Sequence, residues 1–435
     1  MKHRSIKGLL ALLLVALAAL AALAWRPSIA QSAPAPRSAF EPGLLRQGEQ
    51  LAAIGNCASC HTAPEGPPFA GGTALKTPFG TIYGSNITPD PETGIGGWSE
   101  DAFRRALREG VSRDGHLLYP AFPYDHFTRL QDQDIAALYT FVMTRDPVRF
   151  VPPANKLVFP LQFRPLIAGW NLLYLDKGPR PPQASQSADW NRGAYLVDAL
   201  AHCAACHSPR NQLGAERRDA AFDGGEAEGW HATALNVHSP SPVPWSAEAL
   251  AAYLQTGLVA DHAITAGPMQ DVVHSLSHAP VEDVHAIAVY VQSLMGAPTP
   301  QQQARESASR QRASQPSVAL PTPAGDAQLA LGAGVFASSC ASCHDLGRQL
   351  SSASGLRMPL AIALYLPDPR NLVHIVRDGI QPPPGQPGRW MPAFDGELSD
   401  DQIAALAAWL RQVAAAQPPW LDLAQAVQDS RKPSP

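Results

Sequence analysis

Cys57-Ala58-Ser59-Cys60-His61, Cys203-Ala204-Ala205-Cys206-His207 and Cys340-Ala341-Ser342-Cys343-His344 take up all six cysteines of this 435-residue chain. Two thiols separated by two residues match the two vinyl groups on one porphyrin edge, with which they can form thioethers. The adjacent imidazole then reaches beneath the ring to ligate iron. Zinc would need two such pairs converging on one tetrahedral site, which three pairs with three adjacent histidines fit poorly. A redox dithiol would occur once, inside a βαβ pattern that is not visible here. The three motifs therefore predict three covalently bound haem c groups. Their thioethers fall at Cys57 and Cys60, Cys203 and Cys206, and Cys340 and Cys343, with His61, His207 and His344 as proximal ligands.

The motifs organise the chain as a repeat. A short helical pattern opens each unit: Gly48-Glu49-Gln50-Leu51, Gly193-Ala194-Tyr195-Leu196 and Gly332-Ala333-Gly334-Val335-Phe336. An amphipathic helix closes each, with apolar residues at helical spacing that end on an aromatic: Ile135, Leu138, Phe141; Val284, Ile287, Tyr290; Ile403, Leu406, Trp409. Ser399 with Gln402 predicts a capping box on the third of these. The fold class expected is mainly α: three tandem class I cytochrome c-like domains over residues 40–149, 189–297 and 325–416. Residues 150–188 form a Pro-rich connector whose Phe159, Phe163, Trp170 and Tyr174 are apolar enough to pack against a domain. Residues 298–324 read as a flexible linker, and the tail 417–435 lacks the apolar face of an anchor.

Lys plus Arg number 33 against 37 Asp plus Glu, and no basic block suggests nucleic acid. Residues 1–30 begin with Lys2, His3, Arg4 and Lys7 and then run uncharged from Gly8 to Trp25, the shape of an export signal. The apolar run is long for a signal and at the lower limit for a span. Ser28-Ile29-Ala30 offers a cleavage site, whereas Arg26 favours an uncleaved anchor. Either way the body of the chain is expected on the periplasmic side of the inner membrane, anchored or associated.

The sixth iron ligands follow from the loops ahead of the closing helices. Met269, in Gly267-Pro268-Met269, lies 62 residues after His207; Met391, in Trp390-Met391-Pro392, lies 47 after His344. Each is read as an axial thioether, a ligation that raises the reduction potential, with Met358 as the fallback in the third domain. The first domain departs from this pattern. Phe122 lies 61 residues after His61, where the ligand is expected, and cannot bind iron. Met143 faces elsewhere by register. His126 is the favoured sixth ligand there; His116 and an open or water-bound iron are the alternatives.

The stretches Phe69-Ala70-Gly71-Gly72, Thr77-Pro78-Phe79-Gly80-Thr81, Asn86-Ile87-Thr88-Pro89-Asp90 and Gly94-Ile95-Gly96-Gly97-Trp98-Ser99 resemble the first domain of triple-haem cytochrome subunits of periplasmic, membrane-associated dehydrogenases. Trp190-Asn191-Arg192-Gly193 and Met391-Pro392-Ala393-Phe394 resemble the same family, so the likeness covers nearly everything after residue 40. The resemblance implies electron transfer from a separate dehydrogenase catalytic subunit to membrane quinone or a terminal oxidase, with no substrate site in this chain. Relatives serving quinoprotein alcohol or flavin sugar and gluconate dehydrogenases usually carry Met in the Phe122 slot. Phe122 followed by Asp125-His126-Phe127 is more similar to subunits paired with molybdenum hydroxylases that oxidise aldehydes or N-heterocycles such as isoquinoline or nicotinate. A haem enzyme with an open first site and a free periplasmic carrier without a fixed partner are the remaining alternatives. No pterin, flavin, quinone-cofactor or dinucleotide motif is visible.

Overall fold

The computed structural model describes residues 22–34, 36–346, 356–382 and 390–431. The charged start of the leader and most of its apolar run lie outside these residues. Among the described residues no helix is long and apolar enough to cross a membrane. Helices dominate, and the strands are two- to four-residue pieces of small antiparallel sheets of two or three strands. The chain divides into two compact units: one reaches Ala205 and includes Asn211–Ala215, and the other comprises Cys206–Arg210 and Glu216 onward.

In the first unit the opening helix Pro42–Ile54 crosses the closing helix Asp132–Met143. The crossing is close because Gly48 has no side chain: a Cβ there would lie 2.0 Å from the Ala137 carbonyl oxygen. Ile135, Leu138 and Phe141 are buried on the closing helix, as their spacing predicts. Ser99 caps the helix Glu100–Glu109 by accepting from the Ala102 amide. Residues 27–32, which contain the candidate cleavage site, are tied to this domain: Ile29 donates to the Arg113 carbonyl and Ser32 to that of Gly97. The connector does pack. Its helix Leu166–Tyr174 buries Ile167 and Ala168 with Val111 and Leu117, and Tyr124 donates to Asn171 at 2.6 Å. Its outer side stays apolar and exposed, with Phe159 at 87% and Leu172 at 71%.

In the second unit the closing helices Val281–Met295 and Asp400–Trp409 bury Val284, Ile287, Tyr290, Ile403, Leu406 and Trp409. Ser399 and Gln402 form the predicted capping box. Gly332, on the opening helix Ala327–Val335, repeats the role of Gly48, with a virtual Cβ 2.1 Å from the Ala405 carbonyl oxygen. The reading of 298–324 as a flexible linker is corrected. Residues Pro300–Ala313 form a helix capped by a Thr299–Gln302 box, with Ser309 and Ala313 buried. Arg305 donates to the Ser241 carbonyl and Arg310 pairs with Asp261 at 2.8 Å. The stretch lacks large apolar side chains, but its Gln, Arg and Ala are good helix formers and small residues suffice for a close fit. The tail is also docked. Helix Leu423–Asp429 buries Leu423 and Val427, and the buried Arg377 donates to Asp395, Asp400 and the Val427 carbonyl.

Candidate haem-binding sites

Each CxxCH motif forms a short turn of helix immediately after its opening helix. In the first domain Asn56 takes a left-handed conformation (φ 48°) and turns the chain into the helix Cys57–His61. In the second and third domains the opening helix first widens into π turns, Leu196–Leu200 and Phe336–Cys340. Such turns often mark functional sites.

The three histidines share one arrangement. His61 donates Nδ1–H to the Ser85 carbonyl at 2.7 Å, His207 to the Thr233 carbonyl at 2.7 Å, and His344 to the Leu356 carbonyl at 3.3 Å. A carbonyl can only accept, so Nδ1 must carry the proton and the lone pair is left on Nε2. Metal-binding histidines use this tautomer, fixed by a hydrogen bond on the ring nitrogen facing away from the metal. Burial lowers the pKa of all three below the ordinary imidazole range, which keeps them neutral. The thiols fit the same reading. Burial and the neighbouring Cys60 push Cys57 up to about 12, and burial with Cys343 pushes Cys340 up to about 11. Such sites disfavour thiolate and suit an uncharged thioether. The donor set and its protonation thus fit covalently held haem.

The first two sites also share their surroundings, a repeat the sequence reading missed. The His61 carbonyl accepts from Gly71 N–H and the His207 carbonyl from Gly224 N–H; the Phe69 carbonyl accepts from Ile87 N–H and that of Phe222 from Leu235 N–H. Phe69 and Phe222 both adopt left-handed backbone, with φ 61° and 58°. The signal was present as Phe69-Ala70-Gly71-Gly72 and Phe222-Asp223-Gly224-Gly225. Gly84 shows how tightly this cradle closes, since a Cβ there would lie 1.8 Å from the Cys60 carbonyl oxygen.

Met269 is half-buried at the start of the helix Met269–Leu276, behind Gly267, which lies against the Trp230 ring. Met391 is half-buried and paired through its backbone with Ile380. Met358 packs against the third domain's core, as Cys340, Leu356 and Phe394 do. Phe122 is half-buried in ring contact with Phe127 (5.4 Å) and Tyr124 (6.4 Å). His126, on the short helix Tyr124–Phe127, is 3% exposed and donates Nδ1–H to the Asp198 carbonyl at 2.9 Å. It therefore has the protonation pattern of the proximal histidines, while its ring lies 6.4 Å from that of His202. His116 is partly exposed and paired with Asp114 at 2.6 Å, the setting of a surface histidine. Met143 is buried in the closing helix.

The family model for cytochrome c oxidase, cbb3-type, subunit III matches residues 327–410, within the third repeat. The chain is 46% identical over 409 residues, 92% of its length, to a nicotinate dehydrogenase subunit of Pseudomonas putida, and spans 33% of that longer protein. It is 38% identical to the gluconate 2-dehydrogenase cytochrome c subunit of Pantoea cypripedii, covering 85% of each chain. To the fructose dehydrogenase cytochrome subunit of Gluconobacter japonicus it is 35% identical, over 86% of this chain and 80% of that one.

Proposed function

The chain belongs to the family of cytochrome c subunits of dehydrogenase complexes, and on that premise we propose that it binds three haem c groups and relays electrons from a separate catalytic subunit to membrane quinone or a terminal oxidase. The observation that carries this reading is the common Nδ1–H to carbonyl bond of His61, His207 and His344. Three equivalent imidazoles held neutral beside paired thiols favour conduction over catalysis, for which one haem would suffice. Haem supplies reversible one-electron chemistry when bound; the protein fixes the ligands and excludes water. Met269 and Met391 would hold the second and third haems through their thioethers, and His126 would hold the first through its imidazole. The three sites belong to three cytochrome c-like domains.

The catalytic partner proposed is a molybdenum hydroxylase acting on aldehydes or N-heterocycles. Phe122 in the ligand slot supports this, as does the 46% identity to a subunit whose name carries an N-heterocycle, nicotinate. A quinoprotein alcohol dehydrogenase or a flavin sugar dehydrogenase is the second reading, favoured by the relatives at 32–38% identity. The site of work proposed is the periplasmic side of the inner membrane. The exposed Val158, Phe159, Phe163, Leu172 and Leu173 of the connector supply apolar side chains suited to insert at a lipid surface.

Intact mass and low-temperature EPR of the purified holoprotein test this function. The expected result is three haems, all low-spin when oxidised. A high-spin site that shifts with cyanide would replace His126 ligation with an open first haem. Native purification should bring down a stoichiometric large subunit, and a chain that purifies alone would overturn the subunit reading.

A further inference from the structure

We propose that Phe127 and His202 form the contact through which the first haem site and the site that begins at Cys203 exchange electrons. This rests on the reading of haem attachment at both motifs. It deepens that reading by naming the side chains that join two sites lying far apart in sequence.

Both ends of the contact are pinned. Phe122 occupies the slot where the first site's distal ligand would stand, 61 residues after His61. Its ring lies 5.4 Å from that of Phe127, and Phe127 lies 5.7 Å from His202 in an edge-on arrangement. His202 is bonded directly to Cys203, a thioether position. The route therefore runs from Phe122 to the next attachment point by two ring contacts and one peptide unit. His126 adds a parallel contact, 6.4 Å from the His202 ring.

The junction is also held in place. The Asp198 carbonyl, four residues before His202, accepts from His126 Nδ1–H at 2.9 Å and from Arg129 at 2.7 Å. Tyr195 donates to Asp134 at 2.6 Å and accepts from the Gln131 amide at 3.1 Å. These bonds clamp the turn that carries Phe127 to the helix leading into Cys203. His202 itself stands in left-handed backbone (φ 40°), a conformation in which His and Asn are tolerated and which turns the chain there. The step moves a single electron, oxidising one iron and reducing the other, with no bond made or broken and no proton required.

The test is flash photolysis of the full-length holoprotein with a photoexcited ruthenium complex as reductant and a sacrificial donor, following electron redistribution between the first two sites. Phe127→Leu keeps the core filled but removes the ring, and His202→Asn keeps the left-handed turn but removes the imidazole. Each is expected to slow redistribution about tenfold, with Phe127→Tyr restoring it and all haem potentials unchanged, because coupling passes through packed groups. An unchanged rate in Phe127→Leu, a slowdown that Phe127→Tyr does not rescue, or one accounted for by a shifted potential would each overturn the proposal. Intact mass separates the two failures: a chain lacking haem at Cys203 refutes the underlying reading as well, whereas three haems with an unaffected rate refute only the contact.

Discussion

Replacing Gly332 with alanine tests whether the helix crossing that opens and closes the third domain is as tight as its geometry. The added Cβ would meet the Ala405 carbonyl oxygen at 2.1 Å, the Ala405 carbonyl carbon at 2.7 Å and the Trp409 Cβ at 2.7 Å. Ordinary contact begins at about 3.4 Å, so the helices must part by roughly 1.3 Å. Two of these atoms are backbone and cannot rotate away. Overpacking of this kind costs about 3 kcal/mol. Alanine returns about 1 kcal/mol of helix propensity, leaving a net loss of about 2 kcal/mol. Gly334 is the control on the same helix: no atom lies within 4 Å of its virtual Cβ, so Gly334→Ala should stabilise by about 0.5–1 kcal/mol. The assay is native-state hydrogen exchange of the closing-helix amides of residues 403–409 in the full holoprotein. Gly332→Ala should lower their protection about 30-fold, and Gly334→Ala should leave it equal or raised. Equal protection in both variants would refute the argument from the crossing.

Acid stability should report the cluster under the tail. Hydrogen bonds from Arg431 and Arg377 hold Asp400 down at about 2, below the ordinary 3.8. The carboxylate's contribution is therefore complete above about pH 4 and is lost as pH falls towards 2. Arg431→Gln should raise this carboxyl back towards its ordinary value, so that less stability is lost on acidification and the loss ends at a higher pH, in an acid titration followed by tryptophan fluorescence. In the haem-free chain at pH 8, Cys57, pushed up to about 12, should be thiolate in only about one molecule in ten thousand. Timed alkylation read by peptide mass should modify the exposed Cys206 well before it. On lipid vesicles, amides of residues 158–175 should gain protection from exchange, and Leu172→Asp with Leu173→Asp should abolish the gain. Protection that arises only with a protein partner would reassign that surface.

What the sequence determined by itself was whatever is written in adjacent or periodic residues. CxxCH spacing is set by the porphyrin edge, the closing-helix stripes by the 3.6-residue turn, and the Ser399 cap by side-chain reach to Gln402. Each is local, so residue type and separation carry the information. The tertiary structure alone decided where the three imidazole Nδ1 protons go. Ser85, Thr233 and Leu356 contribute only main-chain carbonyls, which any residue possesses, so no side chain announced them. It also decided that 300–313 is a docked helix. Small residues leave no apolar stripe to read, yet they allow the close contact that buries Ser309 and Ala313. The same holds for His126. Its position after Phe122 made it the favoured candidate ligand, but its bond to the Asp198 carbonyl and its approach to His202 exist only because the chain brings residues 70 or more positions apart into contact.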